Sequence, residues 1–315
     1  MAGLVIVNVL FILGSPKTNN LATAGRAFNS TEAYILPISE PSYFPIYDSK
    51  TEKPVIDAKS GLVYDTRSGR FLFDKNPRIK LPIASLTKIL SAVVVLENLN
   101  LQDNIVVPRE ALKVDTEKQS LYLNEEITVE NLLKLMLIES SNDAAYALTY
   151  YSNTKGVSFV DKMNEKARSL NMIDSNFLDP AGLNDSAYST AEDLVKLVKY
   201  AFKYDLIWKI LTEKSIVVKS IDGKIEHKVE STDQLLGVIP DIFGGKTGNT
   251  DGALGCMILV VDIPVSEWAS EAVRKPALGT LYKNDKLISI VLGSKSRFDD
   301  TKKLIDWVKK AYRWE

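Results

Sequence analysis

Residues 82–96 read PIASLTKILSAVVVL and predict a buried helix that carries a serine and a lysine near its start. Pro82 is a helix-start signal, and the nearly uninterrupted apolar run from Ile89 onward is typical of a helix covered on most sides. Ser85 and Lys88 are three residues apart, so a helix places the hydroxyl and the amine on the same face.

This pairing has chemical consequences, because burial and the positive end of the helix dipole both lower the pKa of a lysine. A neutral Lys88 could accept the proton of Ser85 and make that hydroxyl a nucleophile. Ser-x-x-Lys alone is a weak motif, since a capping serine followed by a surface lysine has the same spacing. The apolar sequence after Lys88 favours the buried pair.

A second polar cluster, ESSNDAA at residues 139–145, lies between two predicted helices. Ser140 and Asn142 are two residues apart, which suits a tight turn that presents both side chains to one cleft. Asn142 could orient a lysine or hold a substrate carbonyl, and Ser140 could relay a proton. Plain N-capping of the following helix by Ser141 or Asn142 is the alternative.

A third cluster, GGKTGNT at residues 244–250, precedes a predicted strand. Its glycines permit the close approach of a ligand, while Lys246 and Thr247 offer a cation and a hydroxyl to an anionic group such as a carboxylate. The spacing G-x-x-x-x-G-K-[ST] is absent, so this is not a phosphate-binding loop. An ordinary β-turn is the alternative.

Composition excludes several classes of protein. The 315 residues are 45% hydrophobic and 25% charged, which suffices for a sizeable core. With 39 basic and 40 acidic residues, no positive excess is available to bind nucleic acid. The one cysteine, Cys256, excludes an intrachain disulfide and a four-thiolate metal site. The one histidine, His227, lies in a polar stretch and is expected to be solvated, so imidazole-based catalysis is disfavoured.

The N-terminal region has the features of an export segment. Residues 4–13 read LVIVNVLFIL, an apolar run too short to cross a bilayer, and residues 22–24 have the small-x-small form of a cleavage site. No lysine or arginine precedes the run. We expect residues 1–24 to be a signal peptide or N-terminal membrane anchor, and residues 25–53 to be a proline-containing tether. The alternative for the tether is an irregular arm packed on the domain surface.

Short β-rich runs open the regular structure, helices fill its middle and strands return near the end. Strands are predicted at residues 55–57, 61–64, 70–73, 215–220, 226–230, 256–262 and 287–292. Helices are predicted at residues 85–98, 129–138, 143–151, 158–170, 190–204 and 298–312. Strands at both ends enclosing helices predict an α+β fold whose sheet is completed by distant segments.

The three clusters occur in the order Ser-x-x-Lys, Ser-x-Asn, Lys-Thr-Gly, a combination far more specific than any one of them. The match extends to SNDAA (141–145), FVDKMN (159–164), DPAGL (179–183) and STAEDL (189–194). The chain therefore resembles the low-molecular-mass penicillin-binding proteins, serine-type D-alanyl-D-alanine carboxypeptidases of the peptidase S11 family, from about residue 55 to residue 307. Class A β-lactamases share the signature.

The resemblance implies a fold like that of the β-lactamases and DD-peptidases. In this α+β architecture, an antiparallel sheet built from N- and C-terminal segments is flanked by helices and joined to a mostly helical subdomain. We expect residues 54–315 to form this catalytic domain, without the C-terminal β-domain of many family members.

The resemblance also implies the catalytic residues. Ser85 would be the acylated nucleophile and Lys88 its base, and Ser140 with Asn142 would form the second catalytic element. Removal of the terminal D-alanine from a peptidoglycan pentapeptide would release D-alanine and leave an acyl-enzyme for water to clear. No cofactor or metal is implied.

Substrate binding is implied for the third motif. Lys246 and Thr247 would bind the terminal carboxylate of the peptide, with Gly248 and Asn249 beside them, and the backbone N–H groups of Ser85 and Asn249 would form the oxyanion hole. The expected partners are peptidoglycan stem peptides, with β-lactam antibiotics as covalent inhibitors. Nucleic acid is not expected, and membrane attachment would come from the N-terminus.

Three departures from the family pattern bear on the expectations. The polar stretch 264–285 is longer than the usual strand connection, and Leu254 stands where the family commonly has glycine. Residues 171–188 contain no glutamate to serve as the rapid deacylation base of a β-lactamase. We therefore expect a long-lived penicilloyl adduct on Ser85 rather than fast penicillin turnover.

The sequence leaves two alternatives to the carboxypeptidase open. A D,D-endopeptidase acting on cross-links would use the same residues. A non-catalytic sensor of penicillin or muropeptides would keep the cleft, but such modules typically lose the nucleophile or its lysine, and here Ser85 and Lys88 are both present.

Overall fold

The computed structural model describes residues 44–114, 119–263 and 285–314. The predicted signal peptide or anchor at residues 1–24 lies outside the described residues. So do residues 25–43 of the predicted tether and nearly all of the polar stretch at 264–285.

The described residues form strands and helices in an α+β order. The strands are β1 (Ile46–Tyr47), β2 (Ser60–Asp65), β3 (Arg70–Lys75), β4 (Asn104–Val106), β5 (Glu126–Thr128), β6 (Ser215–Lys219), β7 (Glu226–Glu230), β8 (Ile242–Thr250), β9 (Leu254–Asp262), β10 (Lys286–Ser294) and β11 (Tyr312–Arg313). The helices are α1 (Thr87–Asn98), α2 (Val129–Ile138), α3 (Asn142–Thr154), α4 (Phe159–Ser169), α5 (Ala191–Ala201), α6 (Asp205–Leu211) and α7 (Arg297–Ala311).

The central antiparallel sheet has the strand order β3-β2-β10-β9-β8. Leu62 of β2 is opposite Ile290 of β10, which is opposite Ile258 of β9, so segments more than two hundred residues apart share one sheet. The predicted α+β fold is confirmed. Strand β8 ends the sheet, and an edge strand offers backbone groups to a ligand or another chain.

Both faces of the sheet are covered, and the two-residue period of β9 divides its side chains between them. Ile258 and Val260 pack with the cluster that contains helices α1 to α6. Met257, Leu259 and Val261 pack with the cluster that contains α7. A strand buried on both faces must be apolar at nearly every position, which is why this segment was recognisable from sequence.

Helix α1 lies in the middle of the first cluster, with every residue from Thr87 to Val95 buried. A helix that is hydrophobic on all sides belongs inside a domain. Here the burial extends to Lys88, whose side chain is fully enclosed. Most predicted elements are confirmed, and α2 has the predicted bounds.

One predicted strand is absent, and strand β8 was not predicted. Residues 55–57 are not in a strand, and the GGKTGNT cluster lies inside β8 rather than in a loop or turn before a strand. Glycine is depleted in strands and the cluster has no apolar alternation, so its extended conformation comes from pairing with β9. Leu254, at the start of β9, adopts a left-handed φ of 57°, which costs a non-glycine residue about 1–2 kcal/mol.

The expectation of a solvated His227 was also wrong. The residue is in strand β7 and only 8% exposed, and its Nε2 lies 2.5 Å from Oε1 of Glu125. The burial pattern of β7 alternates, so His227 faces inward together with Val229. A polar neighbourhood in sequence did not reveal a partner 102 residues away.

The described part of the predicted tether, residues 44–53, is an arm on the domain surface. Strand β1 pairs with β11, with Tyr47 opposite Tyr312. The ring of Tyr47 also lies 6.1 Å from that of Trp307. For these residues the structure supports the surface-arm alternative.

Candidate active site

The serine of the first motif lies in a single 3-10 turn, Ala84–Leu86, immediately before α1. Ala84 has a left-handed φ of 49°, a strained conformation of the kind found at functional sites. Lys88 is one turn further on, and its Nζ lies 2.9 Å from Oγ of Ser85. The helical spacing therefore produces the predicted contact, although the regular helix begins two residues later than expected.

Two more oxygens surround the lysine amine. Nζ of Lys88 donates to Oδ1 of Asn142 at 2.7 Å and to the carbonyl of Ala181 at 2.9 Å. A neutral amine has two N–H bonds and one lone pair. When those two N–H bonds point at Asn142 and Ala181, the lone pair is directed at the hydroxyl of Ser85, the arrangement that a base requires.

The second motif divides its two side chains between two lysines. Asn142, the first residue of α3, contacts Lys88, whereas Oγ of Ser140 accepts from Nζ of Lys246 at 2.8 Å. Ser140 has a left-handed φ of 65°, and Ser141 caps α3 through the backbone N–H of Ala144. Capping of the helix and presentation of Ser140 and Asn142 thus coexist.

Strand β8 brings the third motif to the same place. Lys246 is 1% exposed and also donates to its neighbour's carbonyl, while Oγ1 of Thr247 lies 2.6 Å from Oγ1 of Thr232. Gly248 approaches the turn Ala84–Leu86, called here the nucleophile turn, so closely that a Cβ on Gly248 would lie 3.0 Å from the backbone nitrogen of Ser85. Asn249 is exposed at the end of the motif.

The structure therefore places the predicted side chains of Ser85, Lys88 and Asn142 in one hydrogen-bonded group. Ser140 and Lys246 form a second pair, and Gly248 joins β8 to the nucleophile turn. Because Ser140 and Asn142 are only two residues apart in sequence, the two hydrogen-bonded groups lie next to each other and form one site.

Sequence reasoning missed the contacts of three residues around this site. The carbonyl of Ala181, the hydroxyl of Thr232 and the carboxylate of Asp233 all lie against motif residues. The Asp-Pro-x-Gly order at residues 179–182 signals a turn, and it marks where the chain returns to the lysine. Nothing in the sequence around Thr232 identifies its contact.

Asp233 has an unusual environment. It is 6% exposed, its Oδ1 accepts from the N–H of Leu235 at 2.8 Å, and its Oδ2 faces Gly245, where a Cβ would lie 2.3 Å away. Burial raises the pKa of this carboxyl to about 6, against the opposing effects of the Leu235 N–H and the charge of Lys246. The carboxyl thus titrates close to neutral pH beside the third motif.

A second group with a shifted pKa, Tyr146, lies on α3 one turn after Asn142. Burial raises the pKa of Tyr146 to about 12, and the nearby negative charges of Asp179 and Tyr150 act in the same direction. Tyr146 is therefore a neutral hydrogen-bonding group at physiological pH.

Among the described residues, no three histidine, cysteine, aspartate or glutamate side chains come together as a metal site. None of the described helices is both long and apolar enough to cross a bilayer.

A family model described as D-alanyl-D-alanine carboxypeptidase, peptidase S11, matches residues 48–263. The chain belongs to this family. Its similarity to curated S11 relatives includes 31% identity to the D-alanyl-D-alanine carboxypeptidase DacF of Bacillus subtilis, over 69% of this chain and 57% of the relative. It is also 31% identical to a D-alanyl-D-alanine endopeptidase of Escherichia coli, over 66% of this chain and 68% of the relative.

Solved structures lead to the same family. A D-alanyl-D-alanine carboxypeptidase from Mycobacterium tuberculosis superposes with a TM-score of 0.69 at 25% identity, covering 83% of this chain and 95% of the other. A DD-transpeptidase from Streptomyces gives the same TM-score at 25% identity, covering 81% of this chain and 98% of the other. The expected β-lactamase/DD-peptidase-like fold is confirmed.

Proposed function

We propose that this protein is a serine-type D-alanyl-D-alanine carboxypeptidase that removes the terminal D-alanine of peptidoglycan pentapeptides. The observation that carries the proposal is the buried amine of Lys88, 2.9 Å from the hydroxyl of Ser85 and held by two further oxygens. Membership of the S11 family and the relatives named carboxypeptidases support it.

Acylation would begin with transfer of the Ser85 proton to Lys88. Oγ of Ser85 then bonds to the carbonyl carbon between the two D-alanines, and the developing oxyanion accepts from the N–H groups of Ser85 and Asn249. Each such donor contributes on the order of 3 kcal/mol to transition-state stabilisation. The C–N bond breaks as the proton passes to the leaving amine, with Ser140 as the relay.

Substrate orientation would depend on Lys246 and Thr247. The amine of Lys246 lies 2.8 Å from Oγ of Ser140. A substrate carboxylate bound to Lys246 would therefore place the leaving nitrogen next to the hydroxyl of Ser140. A charge-assisted hydrogen bond to that carboxylate is stronger than a neutral one. This arrangement favours peptides that end in a free carboxylate.

Deacylation is expected to be slow with β-lactams. Each acidic residue of segment 171–188 has partners of its own: Asp174 pairs with Lys80, Asp179 accepts backbone N–H bonds, and Asp185 accepts from Oγ1 of Thr250. These engagements support the proposal that the penicilloyl group on Ser85 is long-lived. Turnover of benzylpenicillin at many cycles per second would contradict it.

Covalent labelling tests the enzyme proposal against the sensor alternative. Purified protein should form a stable adduct with fluorescent penicillin and release D-alanine from a pentapeptide, while Ser85→Ala should do neither. A protein that binds penicillin only reversibly, and identically in the Ser85→Ala variant, would be a sensor.

The D,D-endopeptidase is the second candidate, because the similar Escherichia coli relative bears that name and is matched over 68% of its length. The two activities cleave the same kind of bond and differ in the leaving group, which is free D-alanine for the carboxypeptidase and a cross-linked peptide for the endopeptidase. Incubation with a pentapeptide and with a cross-linked muropeptide dimer, followed by product chromatography, separates them. Preferential cleavage of the dimer would assign the endopeptidase.

We propose an extracytoplasmic location for the catalytic domain, since peptidoglycan is assembled outside the cytoplasmic membrane. The apolar run at residues 4–13 supports export. Fractionation of cells that express the tagged full chain distinguishes a cleaved signal peptide from an N-terminal anchor, because cleavage shortens the protein and releases it from the membrane fraction.

A further inference from the structure

The carboxylate of Asp179 is surrounded by backbone N–H groups of its own loop. Oδ1 accepts from Ala181 at 2.7 Å, from Gly182 at 2.6 Å and from Leu183 at 3.1 Å, and Oδ2 accepts from Asn184 at 2.8 Å. The residue is 7% exposed. One side chain therefore holds the backbone of four consecutive residues in a single conformation.

That conformation places the loop against the nucleophile turn and the first turns of α1. The carbonyl of Ala181 accepts from Nζ of Lys88 at 2.9 Å, and that of Pro180 accepts from Oγ of Ser91 at 2.7 Å, one helical turn further along α1. Gly182 has a φ of 78° and touches the turn so closely that a Cβ would lie 1.9 Å from the carbonyl oxygen of Ala84. The loop thus contacts Ala84 in the nucleophile turn and Lys88 and Ser91 in α1.

The Ala181 contact determines where the lone pair of Lys88 points. Two acceptors, Oδ1 of Asn142 and the carbonyl of Ala181, define the directions of the two N–H bonds of the neutral amine. Without one of them the amine can rotate about its last bond, and the lone pair no longer has a fixed direction toward Ser85. Positioning of this kind matters because a 1 Å displacement in an active site can lower the rate about 100-fold.

We propose that Asp179 is a positioning residue for acylation: its carboxylate holds the Ala181 carbonyl in place, and that carbonyl directs Lys88 at Ser85. The inference rests on the proposed function and extends it to a residue that contacts neither the nucleophile nor the carboxylate-binding motif. It predicts a change in the acylation step with little change in binding, because the side chains of Lys246 and Thr247 hydrogen-bond to Ser140 and Thr232, which lie outside the loop that Asp179 holds.

The test separates these two steps in Asp179→Asn and Asp179→Ala. Stopped-flow fluorescence with a labelled penicillin gives the non-covalent Kd and the acylation rate constant separately. We expect about a 100-fold lower rate constant for Asp179→Ala and about a 10-fold lower one for Asp179→Asn, whose Oδ1 retains part of the network. The Kd should stay within threefold of the wild-type value in both.

Asp300→Asn is the matched control. Asp300 is 1% exposed and accepts backbone N–H bonds from Asp57 and Ala58, but it lies in α7 on the other face of the sheet. Its substitution should lower the melting temperature without changing the acylation rate constant.

Equal acylation rate constants in wild type and both Asp179 variants, at a temperature where all are folded, would overturn the inference. If Asp179→Ala does not fold, Asp179→Asn decides alone: a rate constant within twofold of wild type refutes the positioning role. An equal loss in Asp300→Asn would also refute it, since the loss would then reflect stability only. A wild-type protein without any covalent adduct would instead refute the proposed function.

Discussion

Substitution of Gly182 by alanine tests how closely the loop at residues 179–184 is fitted to the nucleophile turn. At this position φ is 78°, and an added Cβ would lie 1.9 Å from the oxygen and 2.4 Å from the carbon of the Ala84 carbonyl. Both neighbours are backbone atoms, which cannot rotate away. Either the loop or the turn that carries Ser85 must therefore move by about 1 Å or more to restore van der Waals distance.

The cost of the substitution has two opposing parts. A left-handed conformation costs alanine about 1–2 kcal/mol, and forced repacking adds about 1–3 kcal/mol. Alanine also reduces the entropy of the unfolded chain, which offsets about 0.4–1 kcal/mol. The net loss of folding free energy should be about 1–5 kcal/mol. Because Ala84 precedes Ser85, we also expect about a 100-fold lower acylation rate constant.

Gly156→Ala is the matched control, because Gly156 has a similar φ of 76° and open space where its Cβ would be. This variant has the conformational cost without the collision. Urea unfolding and fluorescent penicillin acylation are measured for both variants. If Gly182→Ala is no less stable than Gly156→Ala and acylates within twofold of wild type, the reasoning from close approach is wrong.

Four further outcomes follow from single side chains. Lys88→Ala should abolish penicillin labelling; a normal labelling rate would remove it as the base. Lys246→Ala should raise KM about 10- to 150-fold for a peptide with a free C-terminal carboxylate, because a charged hydrogen bond worth about 1.5–3 kcal/mol is lost. The KM for the corresponding peptide with a C-terminal amide should change little. Equal effects on the two peptides would argue against carboxylate binding. Burial raises the pKa of Asp233 from 3.8 to about 6, so its ionisation costs stability as pH rises through about 6. Between pH 4 and pH 7 the free energy of unfolding of Asp233→Asn should therefore fall by about 2 kcal/mol less than that of the wild type, as measured by urea unfolding. Parallel pH profiles would contradict this. Burial is the largest single influence on the pKa of His227 and lowers it, but the hydrogen bond to Glu125 and the charges of Glu125 and Glu139 together outweigh burial and raise the pKa above 6.5. The pair therefore stabilises the fold below pH 6.5 and loses that effect as pH rises through the raised pKa. His227→Ala should cost about 3–5 kcal/mol at pH 6 and less at pH 9 by urea unfolding, and a pH-independent cost would refute the pairing.

The elements that sequence reasoning found are those with a local physical signature. Helix α2 has the predicted bounds, because its apolar residues recur with the helical period and Thr128 caps its first turn. Strand β9 was found because burial on both faces makes it apolar throughout. By contrast, β8 has few apolar residues and becomes a strand only through pairing with β9, so its extended conformation was not predicted.

The same division applies to the site. One helical turn brings Lys88 to Ser85, so their separation by three residues in the sequence determined that contact. The order of the three motifs likewise identifies the family from the sequence alone.

Only the tertiary structure decided the rest: Asn142 reaches Lys88 from 54 residues away, Lys246 reaches Ser140 across 106, and Asp179 holds the carbonyl that completes the lysine's surroundings. The physical reason is that periodicity records which face of an element is buried. It does not record which distant polar group the chain path brings against that face.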